Sequence, residues 1–131
     1  MAYSLETLEF ARLLELVSRN AQTPMGVDRF RYFLRPFTDR RSLETSLSAI
    51  SETIKLNEEK QVTWSFSGLG DPSDAVAILK INNATLEPTL ILEISRVCNQ
   101  ALFARSAIQP EKEFVPTLWQ IVEHIRRRYS R

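Results

Sequence analysis

Three glycines in 131 residues, and six prolines that fall mostly between stretches of periodic apolar sequence, constrain this chain more than any other feature. Tight β-turns draw on glycine, so a sheet with many reversals is disfavoured and helices separated by proline-marked breaks are expected. Hydrophobic residues at 44% and charged residues at 25% match ordinary soluble globular chains, and 131 residues suffice for one core. The chain is therefore read as a single all-α domain over residues 1–131, a bundle of about six helices.

The first helix is expected to follow Thr7 as N-cap and to end near Asn20, burying Leu8, Phe10, Leu13, Leu14 and Val17. Thr23-Pro24 reads as a cap followed by proline at the first helical position, opening a second helix to about Leu34 that buries Val27, Phe30, Phe33 and Leu34. Pro36 lies just past its end. Asp39 caps a third helix in which Leu43, Leu47, Ile50 and Ile54 recur at steps of four, three and four. That seam is expected to be core, so that Ile50→Ala would cost about 2–5 kcal/mol.

Residues 62–72 break the helical period: Val62, Trp64 and Phe66 alternate with polar residues before Gly68 and Gly70, as in a short strand or an ordered loop. Val76, Ile78 and Leu79 mark a short fourth helix from about Ser73 to Asn82-Asn83. Pro88 opens a fifth, with Ile91, Ile94, Val97, Cys98, Ala101 and Leu102 on its apolar side. Pro110 and Glu111 are expected to start the last, with Phe114, Leu118, Ile121, Val122 and Ile125 as its stripe and Pro116 still near its start.

Several chemistries are absent from the sequence. Cys98 is the only cysteine and His124 the only histidine, so neither an internal disulfide nor a four-ligand Cys/His zinc site can form. A G-x-x-x-x-G-K-[ST] phosphate loop cannot be assembled, and Gly68-Leu69-Gly70 has Ser73 where a dinucleotide fingerprint needs its third glycine. Cys98 sits among apolar residues that would keep its thiol protonated, and His124 lies on a solvated face beside Arg126 and Arg127. Asp71 and Asp74 could bring two carboxylates together, but Asp71 or Ser73 reads as an ordinary helix cap, Glu58-Glu59-Lys60 as a wet helix end, and Trp64 and Phe66 as core anchors rather than base-stacking platforms. No enzyme, metal or cofactor is expected. The opening MAYSLETLEF has no signal-type apolar run and no stretch approaches a membrane span, which points to a cytoplasmic protein without a membrane partner.

Charge is more informative locally than in total. The net charge is +1, but Arg29, Arg31, Arg35, Arg40 and Arg41 against Asp39 leave +4 between residues 29 and 41. The end of the chain carries Arg126, Arg127, Arg128 and Arg131 with no acid after His124, another +4. Arginine suits bidentate phosphate contact, so Arg29, Arg31, Arg35, Arg40, Arg41, Arg126, Arg127 and Arg128 are the candidate nucleic-acid contacts. The alternative is that they flank helix ends and solvate a terminus.

The order of segments resembles a known family. Thr7-Leu8-Glu9-Phe10, a helix, Ala21-Gln22-Thr23-Pro24-Met25-Gly26, a second helix, then Leu34-Arg35-Pro36 and Asp39 resemble the opening of the second bacterial branch of MutS-family proteins. An acid-rich third helix, Gly68-Leu69-Gly70-Asp71 before a short helix, and Thr85-Leu86-Glu87-Pro88 before a long one with Leu92 and Ile94 extend the likeness over about residues 5 to 107. The resemblance implies the helical core and lever that precede a clamp and an ABC-type ATPase, in proteins that bind DNA structures and act in suppressing recombination or in rescuing collided ribosomes. It implies an N-terminal fragment or stand-alone relative without the ATPase or Smr nuclease parts, weak binding of DNA or structured RNA through this region alone, and contact with the remaining domains of a parent protein. A helical protein-interaction module, homodimeric or otherwise, is the alternative from another class.

Overall fold

A computed structural model of the chain describes residues 4–125. These residues are all-helical, with six α-helices and no strand among them: α1 Phe10–Ser18, α2 Pro24–Asp28, α3 Arg40–Lys60, α4 Ser73–Leu79, α5 Pro88–Ile108 and α6 Pro116–Val122. A π-type turn, Arg29–Phe33, continues α2, and a 3₁₀ turn, Gln109–Glu111, continues α5. No helix among the described residues is long and apolar enough to cross a membrane. The chain divides into two compact units that interleave in sequence: residues up to 36 with 66–96, and residues 37–65 with those from 97 onward.

Helix starts follow local sequence closely. Thr23 is extended and its hydroxyl accepts the Gly26 N–H at 3.0 Å, with Pro24 at the first helical position. A β-carbon at Gly26 would lie 3.1 Å from Thr23 Oγ1 and 3.2 Å from Ala21, so the tight capping turn fits glycine best. Asp39 Oδ1 accepts the Ser42 N–H at 2.8 Å and starts α3; Asp71 Oδ1 accepts the Ser73 N–H at 2.9 Å and starts α4. The first helix departs from the expectation at both ends. Residues 5–9 are turns, Glu9 is left-handed at φ 50°, and α1 runs from Phe10 to Ser18.

In the first unit the inward positions of α1 are Leu14 and Ser18, with Phe10 half-buried and the Ser18 hydroxyl donating to the Glu15 carbonyl at 2.8 Å. Leu8 and Leu13, expected in the stripe, are exposed: Leu8 lies in the turns before the helix, and a face at Phe10, Leu14, Val17 and Ser18 turns Leu13 to water. Leu69 and Ala75 are the other buried hydrophobic residues of this unit. The expected second helix is α only to Asp28. The Leu34 N–H then reaches the Arg29 carbonyl five residues back at 3.1 Å, and Phe33 and Leu34 face solvent rather than the core. The stretch 62–72 is an ordered loop, held where the Phe66 N–H donates to the Gln22 side chain at 2.8 Å and turned by Gly68 at φ 82°. Helix α4 stops at Leu79, short of Asn82-Asn83, and leaves Val76 and Leu79 exposed.

The second unit holds the larger core: Leu56 of α3, Ile108 at the end of α5, and Val115, Leu118 and Val122 at and in α6, with Ala49, Val62, Trp64, Trp119 and Ile125 packed around them. Gln61, left-handed at φ 53°, ends α3, and the Val62 N–H returns to the Leu56 carbonyl. The chain thereby folds back and sets Val62 and Trp64 on the core. Pro116, not Pro110, opens the last helix; Pro110 lies in the 3₁₀ turn that prolongs α5. Ile121 is 62% exposed, since the stripe that packs is Val115, Leu118 and Val122. Cys98 is exposed, which corrects its placement in the core. The inward positions of α5 here are Val97, Ala101, Ala104 and Ile108, and residue 98 lies roughly a quarter turn away from them.

The largest correction concerns α3. Its seam Leu43, Leu47, Ile50 and Ile54 is between 40% and 56% exposed, whereas Leu56 is fully buried. The helix packs on α6 through Ala49, Glu52 and Leu56 instead. Glu52 Oε1 accepts the Thr117 N–H at 3.1 Å and Oε2 the Leu118 N–H at 2.8 Å. Val115, at the N-cap position, has no side-chain cap to offer, so a carboxylate from another helix supplies one.

Two stability outcomes follow from this packing. Leu56→Ala should lose about 2–5 kcal/mol in urea denaturation while Ile50→Ala loses under about 1 kcal/mol, the reverse of what the seam pattern suggests. Glu52→Ala should cost about 1–3 kcal/mol, since it leaves two N–H groups at the α6 start without acceptors; a loss below a few tenths would show that water replaces the carboxylate freely.

Candidate nucleic-acid interface

The arginines selected from sequence are exposed where the structure describes them, but their surroundings differ. Arg126, Arg127 and Arg128 lie outside the described residues. Arg29, Arg31 and Arg35 belong to the first unit, on or just after the π-type turn, and Arg40 and Arg41 open α3 in the second.

The wide turn places the Arg29 guanidinium over the Phe33 ring, 5.7 Å from its centroid. Arg31 crosses to α1 and meets Glu15 Oε1 at 2.7 Å. Arg35 donates to the neighbouring Leu34 carbonyl at 2.9 Å. A groove of about 810 Å³ is lined by Arg31, Tyr32 and Arg35 on one side and by Glu9, Phe10, Arg12 and Glu15 on the other. Arg12 faces Glu9 at 3.7 Å, so the arginines of this groove stand among carboxylates rather than alone. Mixed charge with an apolar floor from Leu5, Phe10 and Leu14 is poorly matched to a bare phosphate backbone. Sequence counting missed this neutralisation because Glu15 is distant from Arg31 in the chain; the signal available was the helical spacing that sets Glu9, Arg12 and Glu15 along one side of α1.

At the other cluster, Arg40 Nε bonds Glu44 Oε1 at 2.7 Å, one turn along α3. Both side chains are well exposed, so the pair is readily exchanged for another anion. Asp39, the acid counted against these arginines, is committed to its cap. The Ser42 hydroxyl and N–H both hydrogen-bond to its carboxylate and hold it below the ordinary value of 3.8. Asp71 is lowered in the same way by the Ser73 hydroxyl, at 2.5 Å, and N–H. His124 is exposed, with Nε2 at 3.6 Å from Glu123 Oε1. Among the described residues no cluster of His, Cys, Asp and Glu is arranged to hold a metal ion.

The capping carboxylate Asp39 has a pH signature. Its folded pKa lies below the unfolded one, so its contribution to the α3 terminus is complete above about pH 4–5 and is lost as pH falls through the lowered folded value. An NMR titration of the side-chain carboxyl should give a midpoint below 3.8, and Ser42→Ala should move it up toward 3.8; a midpoint unchanged by that substitution would sink the assignment. Comparison of the chain with protein-family models, with curated proteins and with solved structures finds no match.

Proposed function

We propose that the chain is a non-catalytic helical scaffold of the core-and-lever kind found at the start of the second bacterial MutS branch, assisting a DNA-binding ATPase in recognising DNA structures and in controlling recombination or repair. One observation carries this reading: the residues that give the sequence its likeness to that branch do the work of helix termini. Thr23 and Gly26 form the α2 cap, Asp39 caps α3, Gly68 turns the loop before α4, Asp71 takes up the first α4 N–H, and Pro88 opens α5. A motif series of which these members set where helices begin supports a part that holds and transmits geometry rather than one that performs a reaction.

Nucleic-acid contact in this reading is secondary. Arg31 is engaged with Glu15 across the groove and Arg40 exchangeably with Glu44, which leaves Arg29, Arg35 and Arg41 as the cations of the described clusters without a carboxylate partner among the ion pairs. The exposed apolar seam of α3 favours a second reading, a helical module that works by docking protein.

A fluorescence-anisotropy titration of the full chain against a labelled four-way DNA junction tests the first. Binding in the non-specific range, a dissociation constant of about 10⁻⁴ to 10⁻⁶ M that weakens steeply with salt, is the expected result. Replacing Arg29, Arg35 and Arg41 together by Ala should weaken it several-fold, as should the same change at Arg126, Arg127 and Arg128, with little loss of thermal stability. Titrations at low salt indistinguishable between wild type and both variants would leave the docking module as the function.

A further inference from the structure

The described residues expose twenty large hydrophobic side chains and bury nine hydrophobic ones, and the most regular of the exposed sets is the α3 seam. At about 100° per residue, the centre of Leu43, Leu47, Ile50 and Ile54 lies about 160° around the helix from the centre of Ala49, Glu52 and Leu56, which face α6. Helix α3 thus has two opposite faces, of which, among the described residues of its own unit, α6 covers the one with Ala49, Glu52 and Leu56 and leaves the aliphatic seam half exposed. Steps of four, three and four are those of a coiled-coil seam, whose knobs fit holes made by another helix with the same spacing.

The charges beside the seam select the occupant. Arg40 and Glu58 share one flank, about five full turns apart at 3.6 residues per turn, and they are nearly symmetric about the midpoint of the seam. A second α3 laid antiparallel, with Leu43 against Ile54 and Leu47 against Ile50 of the other copy, brings each Arg40 beside Glu58 of the second copy. Two equivalent ion pairs then close the two ends, and the helix dipoles oppose favourably. A parallel in-register pairing sets Glu44 across from Asp39 of the second copy, like charge against like. The exposed Arg40–Glu44 pair within one copy is weak enough to yield its arginine.

We propose that the α3 seam is a self-association surface on which two copies of this chain pair antiparallel through Leu43, Leu47, Ile50 and Ile54, with Arg40 of each copy against Glu58 of the other. This goes beyond the scaffold reading and does not depend on DNA binding. Four half-exposed aliphatic side chains per copy bury on the order of 700 Å² in all, which puts the dimer in the weak, concentration-dependent class below the ~1,200 Å² of stable complexes.

Sedimentation equilibrium of the full chain from about 10 to 1,000 µM tests it, a span suited to weak association. The weight-average mass should rise from 15.1 kDa toward twice that value. Leu47→Glu and Ile50→Glu, made separately, should hold the mass at one chain while circular dichroism and the thermal midpoint stay near wild type, because both side chains are already half exposed. Arg40→Glu or Glu58→Arg alone should weaken association at least threefold, and the two together should restore it. A mass of one chain at every concentration overturns the proposal and leaves the seam to a different protein or to water. A dimer that survives Ile50→Glu overturns it by placing the contact elsewhere, and a double exchange that fails to restore association overturns the antiparallel pairing.

Discussion

The second unit depends on a carboxylate that one helix lends to another. Helix α6 is two turns long and begins at a proline, which has no N–H to satisfy, behind a valine, which has no oxygen to accept one. The Val115 N–H bonds the Glu111 carbonyl and the Trp119 N–H bonds the Val115 carbonyl, so the Thr117 and Leu118 N–H groups remain. Glu52 accepts both. A negative charge at the positive end of a helix is favourable, and the two-oxygen geometry also fixes the direction in which α6 leaves α3. Along that direction Val115, Leu118 and Val122 pack with Leu56 and Ile108. Lys60, at the end of α3, adds a tether to the segment just before α6, over the Phe114 ring at 5.3 Å and 3.7 Å from Glu111.

Arg105 shows the same economy of parts. Its guanidinium lies 5.2 Å from the Trp119 ring centroid and donates to Gln109, so a cation on α5 covers the aromatic flank of α6. The first unit is held more loosely, with Leu14, Ser18, Leu69 and Ala75 as its buried residues and an Arg31–Glu15 pair across the groove between α1 and the π-type turn. The second unit brings a carboxylate from one helix to the terminus of another, whereas the ion pair between elements of the first unit spans an open groove, where screening weakens it.

What was legible in the sequence was local chemistry. Thr23-Pro24, Asp39 and Pro88 each mark a helix start through their own dihedral limits or through an oxygen within three residues, so no distant information was needed. The choice of face was not legible where a helix carries two. In α3, Ala49, Glu52 and Leu56 have the same spacing as part of the Leu43 to Ile54 seam, and the deciding term was a carboxylate partner in α6 far along the chain. In α6, Ile121 and Val122 competed for one inward position, and in α5 Cys98 and Val97 did. The last helix start was mistaken for a related reason, since Pro110 and Pro116 both fit a first position and the 3₁₀ turn after α5 took the earlier one. For Arg29, Arg31, Arg35, Arg40 and Arg41 the structure shows exposed side chains, but the pairing of Arg31 depends on Glu15 from another element and was not legible in the sequence.

The interleaved order of the two units bears on how the chain is made. Neither unit is a continuous stretch: the first waits for residues 66–96 and the second for those after 97. Helix α3 is finished at Lys60, but the Leu118 N–H that Glu52 accepts and the Val115 side chain that covers Leu56 come from the last helix. At synthesis rates of about 5–20 residues per second, α3 emerges several seconds before its partner and carries Leu56 as well as its aliphatic seam uncovered during that interval. A nascent chain therefore holds Leu56 and the Leu43 to Ile54 seam open together until α6 is made, and α3 sheds only the first of these exposures when the core closes.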